Sequence, residues 1–346
     1  MIHQILFVEL LGGIGDLILA LPAIEAVARS WPGAALDVMT FAPGGELLIG
    51  DPRVRTVFFA HRAPAPRNAE VLRADLAALL NTRRYDLVVS DTRHSGIPEI
   101  IEQSGVSRVV TRLWDAARPD ERIAHLFLRR LREEGIVDVT LPDPPARLFP
   151  TADERCIARE LWNRLHLVPG RTVVFNPHAG VAVKRWPEGN FAALGRALAH
   201  RGHSIAVLAG EDPPLAWRIA RAIPEARFVP RLSLRVTAAW LADASLVVSA
   251  DSGLAHLAGA VGVPVLAIYG PTWAGRYGVA PPSANLQTPF PCPERNPMDF
   301  TVQRCWWNGR CIFTDKLTCC EDVTPAEALA AAERLLERDD GWPGMA

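Results

Sequence analysis

Apolar residues along this chain fall into two patterns. Short unbroken runs rich in β-branched and aliphatic residues alternate with longer stretches whose apolar positions recur every three or four residues. The first pattern predicts strands buried on both faces, the second amphipathic helices. In the first half the strand-like runs are "QILFVEL", "ALDVMTF", "RVRTVFF", "YDLVVSD" and "RVVTRL", with helices at "DLILALPAIEAVARSWP" and around Leu72 to Leu80. The second half repeats the grammar. "TVVFNPHAG", "SIAVLAG", "ARFVP", "SLVVSADSG" and "VPVLAIYGP" read as strands. "NFAALGRALAHRG" (closed by Gly202), "LAWRIARAI", "RVTAAWLADA" and "GLAHLAGAVG" read as helices.

Strands separated by crossover helices imply parallel sheets with helices on both faces. The pattern therefore predicts an α/β chain of two doubly wound domains in tandem. "LPDPPARLFP" carries four prolines, which neither a sheet ladder nor a helix interior accommodates. It places the boundary near residue 150, giving domains 1–150 and 151–346, with a helix Asp153 to Leu165 as connector. "VTPAEALAAAERLLE" predicts a last helix with Thr324 as N-cap, Pro325 at N1 and Glu327 at N3. "RDDGWPGMA" reads as a frayed end.

Composition narrows the class. The chain has 346 residues, 49% of them apolar, enough for two cores. The formal net charge is −1, so no global basic field points to nucleic acid. The basic cluster "FLRRLREEG" around Arg129 reads as a solvated helix face. No uncharged apolar run is long enough to span a bilayer, and the N-terminal segment lacks a basic n-region and cleavage site. These features predict a cytoplasmic protein and leave open reversible contact with the membrane surface and homo-oligomerisation.

Doubly wound folds bind ligands beyond the carboxyl ends of their strands, so the chemistry is sought there. After the first strand comes Gly12-Gly13-Ile14-Gly15-Asp16. Glycines allow a sharp turn and close approach of a substrate. The spacing departs from the dinucleotide fingerprint, because Ile18 stands where its third glycine belongs. Asp16 reads as a helix cap or as a carboxylate able to take a proton from a hydroxyl. In "NPHAGVAVKRWPEGNF", Lys184 and Arg185 precede a helix start, as in an anion site or an ordinary surface loop, while Trp186 and Pro187 brace it. Glu211, after "LAG", suits a ribose hydroxyl or a polar turn. Asp251, Ser252 and Gly253 end one strand and open a helix whose N–H groups favour phosphate. His256 lies one turn further on, facing the same way or serving the core. Gly270 and Thr272 lie at the mouth of the next strand.

Four signals in this order, "GGIGDLILALPAI", "KRWPEGNF", "ADSGLAHLAGAVGVPVLAIYGPT" and a cysteine-bearing tail, resemble glycosyltransferase family 9, the ADP-heptose heptosyltransferases. The resemblance spans residues 5 to about 336. It implies the GT-B fold, two Rossmann-like domains facing a cleft. It also implies inverting transfer of a heptose or related sugar from an ADP-sugar to a hydroxyl of a saccharide or lipid-linked saccharide, with no metal needed for transfer. By resemblance Asp16 is the general base, and Gly13 and Gly15 open the turn for substrate. Lys184 contacts the donor diphosphate, and Glu211 the ribose. Leu232 packs on adenine, Asp251 lies at the donor sugar, and Ser252, Gly253 and His256 lie near the phosphates. The chain departs from lipopolysaccharide-type members at Glu9, where they usually carry Lys, and at "AGVAV", where they carry hydroxyl residues. Both differences bear on the acceptor and the donor sugar.

Five cysteines crowd the segment 292–320 with spacing C-x12-C-x5-C-x7-C-C, without a C-x2-C knuckle. A structural metal, free thiols and a disulfide all remain open from spacing. The autotransporter-glycosylating branch of the family resembles this tail, because it holds iron on four cysteines and forms large rings. That resemblance implies iron or zinc on Cys292, Cys305, Cys311 and Cys319 (or its neighbour Cys320), and a protein acceptor as an alternative. A non-catalytic sugar-nucleotide-binding or assembly protein and a nicotinamide oxidoreductase complete the readings carried forward.

Overall fold

The computed structural model describes residues 2–337, so the segment read as a frayed end lies outside the described residues. The chain divides into two compact units, 1–149 and 150–346.

The first unit runs β1 (Gln4–Val8), α1 (Ile14–Ser30), β2 (Ala35–Thr40), β3 (Thr56–Phe59), α2 (Asn68–Thr82), β4 (Leu87–Ser90), α3 (Ile97–Glu102), β5 (Arg108–Val110) and α4 (Ile123–Glu133). Its five strands are all parallel, in the order β3-β2-β1-β4-β5. The central strands β1 and β4 are buried because their apolar runs meet helices on both faces. The edge strand β3 stays partly exposed. The arginines of α4 form the expected solvated face: Arg129 pairs with Glu121 and Glu133, and Arg130 with Glu133.

The second unit runs α5 (Ala152–Arg164), β6 (Thr172–Asn176), α6 (Glu188–His200), β7 (Ser204–Leu208), α7 (Pro213–Arg221), β8 (Arg227–Val229), α8 (Leu234–Leu241), β9 (Leu246–Ala250), α9 (Gly253–Ala260), β10 (Val265–Tyr269), α10 (Ala274–Tyr277), β11 (Ser283–Gln287), α11 (Arg304–Asn308) and α12 (Pro325–Leu336). Its six parallel strands run β11-β10-β9-β6-β7-β8. The helix read as a connector is α5, which packs on α8 inside this unit through the stacked Trp162 and Trp240 rings, 4.7 Å apart. β11 was not legible in the sequence. "SANLQ" is polar and lacks β-branching, and it pairs only along one edge of β10. α12 starts as expected: Thr324 accepts from the Glu327 backbone, the Thr324 N–H donates to the Glu327 carboxylate, and Pro325 stands at N1.

Candidate active site

In each sheet the strand order reverses once, between β1 and β4 in the first unit and between β6 and β9 in the second. A doubly wound sheet opens a crevice at that point, beyond the carboxyl ends of the strands. The candidate residues gather at these two places.

In the first unit, β1 ends in a tight turn. Gly12 has φ of +98°, a conformation glycine adopts without strain. Gly13 is the N-cap of α1, and Gly15 and Asp16 follow in its first turn, so Asp16 is at N3 rather than at the cap. The Gly13 N–H donates to Asp16 Oδ2 at 3.1 Å. A Cβ on Gly13 would lie 2.4 Å from that oxygen, so glycine is required for this contact. Beneath the turn lie two further carboxyls. Glu9, 1% exposed, accepts from the N–H groups of Leu11 (3.1 Å) and Gly12 (3.4 Å) and from the Thr40 hydroxyl (2.5 Å). Burial pushes Glu9 up to about 7; the charge of Asp16 adds to the rise, while the hydrogen bonds oppose it. Asp91, at the end of β4, is also raised, by burial first and then by Glu9 and Asp16. Its Oδ2 has no hydrogen-bond partner. From outside, Arg62 donates to the Gly12 carbonyl at 2.6 Å and stacks on Phe41.

In the second unit, Lys184 closes a single 3-10 turn, Ala182–Lys184, and its ammonium lies 3.2 Å from Asp251 Oδ2 at the end of β9. Ser252 is the N-cap of α9, yet its hydroxyl makes no cap bond. It accepts instead from Asn176 Nδ2 at 2.8 Å, and the same amide reaches Ser249 at 2.8 Å. The first N–H groups of α9, beginning at Gly253, are thereby left without a side-chain cap. His256 is buried one turn along α9. Glu211 follows β7, is exposed and pairs with Arg231 at 2.8 Å. Leu232 follows β8 and is half-buried. Trp186 is buried and donates to the Val323 carbonyl, bracing the loop as its sequence position suggested.

The structure thus brings Lys184, Asp251, Ser252 and Gly253 together and leaves Glu211 and Leu232 on neighbouring strand ends of the same sheet edge. Sequence reasoning missed Asn176, Thr40, Arg62 and Asp91. Asn176 carried one signal, its place as the last polar residue of an apolar strand. Thr40 and Asp91 are joined to the site by pairing between strands, and Arg62 by its side-chain bond to the Gly12 carbonyl.

All six cysteines are free thiols. Cys292, Cys305, Cys311 and Cys319 line one small apolar cavity, shared with Val183 and Pro271. Burial and the neighbouring thiols raise Cys305, and burial pushes Cys319 up to about 12. The expected ligand set therefore converges, but among the described residues no three His, Cys, Asp or Glu side chains stand close enough together to hold a metal ion. Cys320 does not line this cavity; its thiol is fully buried, donating to the Val183 carbonyl at 3.7 Å.

Two α/β units, each built on a parallel sheet, give the GT-B fold seen in solved heptosyltransferases of E. coli. The family model for glycosyltransferase family 9 (heptosyltransferase) matches residues 128–302, and the chain belongs to that family. The chain is 29% identical over 310 residues to lipopolysaccharide heptosyltransferase 1 of Pseudomonas aeruginosa, covering 81% of this chain and 82% of that one. Among solved structures it resembles a family 9 glycosyltransferase from Veillonella parvula, with TM-score 0.79, 17% identity, and 96% and 97% of the two chains covered. It also resembles an iron-containing dodecameric glycosyltransferase from enterotoxigenic E. coli, with TM-score 0.59, 16% identity, and 96% and 76% covered. Among the described residues no helix is long and apolar enough to cross a membrane.

Proposed function

We propose that this glycosyltransferase moves a heptose, with inversion, from ADP-heptose to a hydroxyl of a saccharide or lipid-linked saccharide. One observation carries the reading: the Lys184–Asp251 pair stands at the uncapped start of α9, at the switch point of its sheet. That arrangement suits a sugar nucleotide. The ammonium and the α9 N–H groups would take the diphosphate, and their positive charge would meet the charge that develops as the nucleotide leaves. Asp251 would face the donor sugar, with Ser252 and His256 near the phosphates, Glu211 at the ribose and Leu232 against adenine. Asp16 would take the proton of the acceptor hydroxyl, and the nucleophile would then attack the anomeric carbon opposite the leaving diphosphate. Lipopolysaccharide heptosyltransferase 1 of Pseudomonas aeruginosa, by its name, supports a cell-envelope saccharide as acceptor. A bound ADP-heptose analogue in a solved E. coli relative supports the donor. The work of such an enzyme would lie in the cytoplasm, at or near the inner face of the membrane.

The test combines binding and turnover. ADP is expected to bind in preference to UDP and GDP, and Asp16→Asn to keep that affinity while lowering transfer about 10²- to 10⁴-fold. Full transfer by Asp16→Asn would remove the base. Preference for UDP or GDP would remove the ADP-sugar.

A second reading concerns the cysteine-rich segment. Four thiols converging on one cavity support a structural iron or zinc, and the iron-containing dodecameric neighbour supports both a metal and homo-oligomerisation. As the residues stand, the ligand set is gathered but not closed to coordination distance. Soft thiolates suit either metal, whose charge would bring the raised thiols down to their ionised form. Elemental analysis of the purified protein is expected to return about one metal per chain. A metal-free protein with unchanged transferase activity and thermal stability would discard the reading.

A further inference from the structure

The ammonium of Lys184 is not held by Asp251 alone. It lies 4.4 Å from the centroid of the Phe300 ring and 5.2 Å from that of Trp306. Both rings belong to the cysteine-rich segment, far downstream in the chain. They meet each other at 4.9 Å, and Phe300 meets Tyr277 edge-on at 5.2 Å. Tyr277 is buried in α10 and donates its hydroxyl to the Met298 carbonyl at 3.1 Å, which ties the segment to the body of the unit. The Tyr269 hydroxyl of β10 in turn donates to the Tyr277 carbonyl at 3.2 Å. The rings under Lys184 are therefore anchored to the sheet. On the other side, the Thr318 hydroxyl donates to the Val183 carbonyl at 2.5 Å, so the same segment also grips the turn that carries Lys184.

An anion-binding lysine faces a conflict here. Asp251 orders its ammonium but also cancels its charge. Aromatic faces attract a cation through their quadrupole without adding a negative charge. They also replace water around the ammonium and restrict a side chain with four rotatable bonds, so less ordering remains to be done when an anion arrives. We propose that Phe300 and Trp306 are positioning residues that seat the Lys184 ammonium for the donor diphosphate, so that the cysteine-rich segment forms part of the donor site. This inference rests on the reading of Lys184 as the diphosphate contact.

Calorimetric titration of ADP and adenosine into the full-length protein tests it. The variants are Phe300→Leu, Trp306→Leu, Phe300→Tyr and Lys184→Met, alone and with Phe300→Leu added to Lys184→Met. Each leucine variant is expected to weaken ADP binding about two- to tenfold, as loss of a cation–π contact predicts, with adenosine unchanged. Phe300→Tyr keeps a ring face and should bind ADP as the wild type does. In the Lys184→Met background, Phe300→Leu should have no further effect. If Lys184→Met weakens ADP while the leucine variants bind it normally, the proposal is overturned and the diphosphate reading stands. If the leucine variants weaken ADP and adenosine alike, the rings act only as structure, and the proposal is equally overturned. If Lys184→Met leaves ADP affinity untouched, the reading beneath the proposal falls with it. Should the leucine variants fail to fold, Phe300→Tyr and Trp306→Phe carry the same comparison, with retained ADP affinity expected and a loss comparable to Lys184→Met overturning it.

Discussion

Glu9 is a carboxyl where water barely reaches, under a turn that a charged Asp16 borders. Its two oxygens take three hydrogen bonds, yet burial outweighs them and lifts the group to about 7. The consequence for stability has a definite sign. The unfolded chain ionises Glu9 near its ordinary value of 4.5, whereas the folded chain holds the proton to about 7. The stabilising contribution is therefore complete below 4.5, declines as pH rises between these values, and is gone above 7. The decline has a limiting slope of about 1.4 kcal/mol per pH unit. Glu9→Gln keeps the shape of the side chain and cannot ionise. Denaturant melts from pH 4 to 8 should show the variant gaining on the wild type across that window, while burial of Asp91 leaves a slope of its own in the variant. Parallel curves would show that Glu9 does not hold its proton there. Glu9 and Asp16 were both visible in the sequence, the one as a departure from the related enzymes and the other as a carboxylate after glycines. What was not visible was that Thr40 and Asp91, on neighbouring strands, complete their surroundings.

The elements that carry the second site are β6, β9 and α9. Neighbouring strands in the sheet, β6 and β9 are far apart in sequence, and Asn176 ties their ends by donating to both Ser249 and Ser252. It is fully buried, so its loss leaves the buried Ser249 hydroxyl and the half-buried Ser252 hydroxyl without the amide they share. Asn176→Ala is expected to lower stability by about 1–3 kcal/mol and to weaken ADP binding in step, because the start of α9 loses its tether. Chemical denaturation and calorimetry on one preparation check both parts. Unchanged ADP affinity at lowered stability would confine Asn176 to the core. Most of these elements were legible, since a strand buried on both faces and its glycine-bearing exit leave a local signature. β11 was not, because an edge strand needs neither apolar nor β-branched residues once a neighbour supplies half its hydrogen bonds. The helix role of α5 was legible, but what it packs on was not; Trp162 stacks on Trp240 of α8.

At the scale of the whole chain, a formal net charge of −1 provides no field to draw in an anionic donor or acceptor. Any such ligand must be held by local groups, which is why a single lysine, its aromatic seat and one helix start bear so much of the argument. The amino-acid pattern by itself determined the two α/β units, the parallel sheets, the family, and the strand ends at which the candidate residues sit. All of these follow from short-range periodicity and from motifs contiguous in the chain. Tertiary structure alone decided which polar side chains meet. It put Asn176 under Ser252, Asp91 beside Glu9, four spaced cysteines around one cavity and two rings beneath Lys184. Those contacts join residues that are distant in sequence, and their energies depend on burial, which no local pattern specifies.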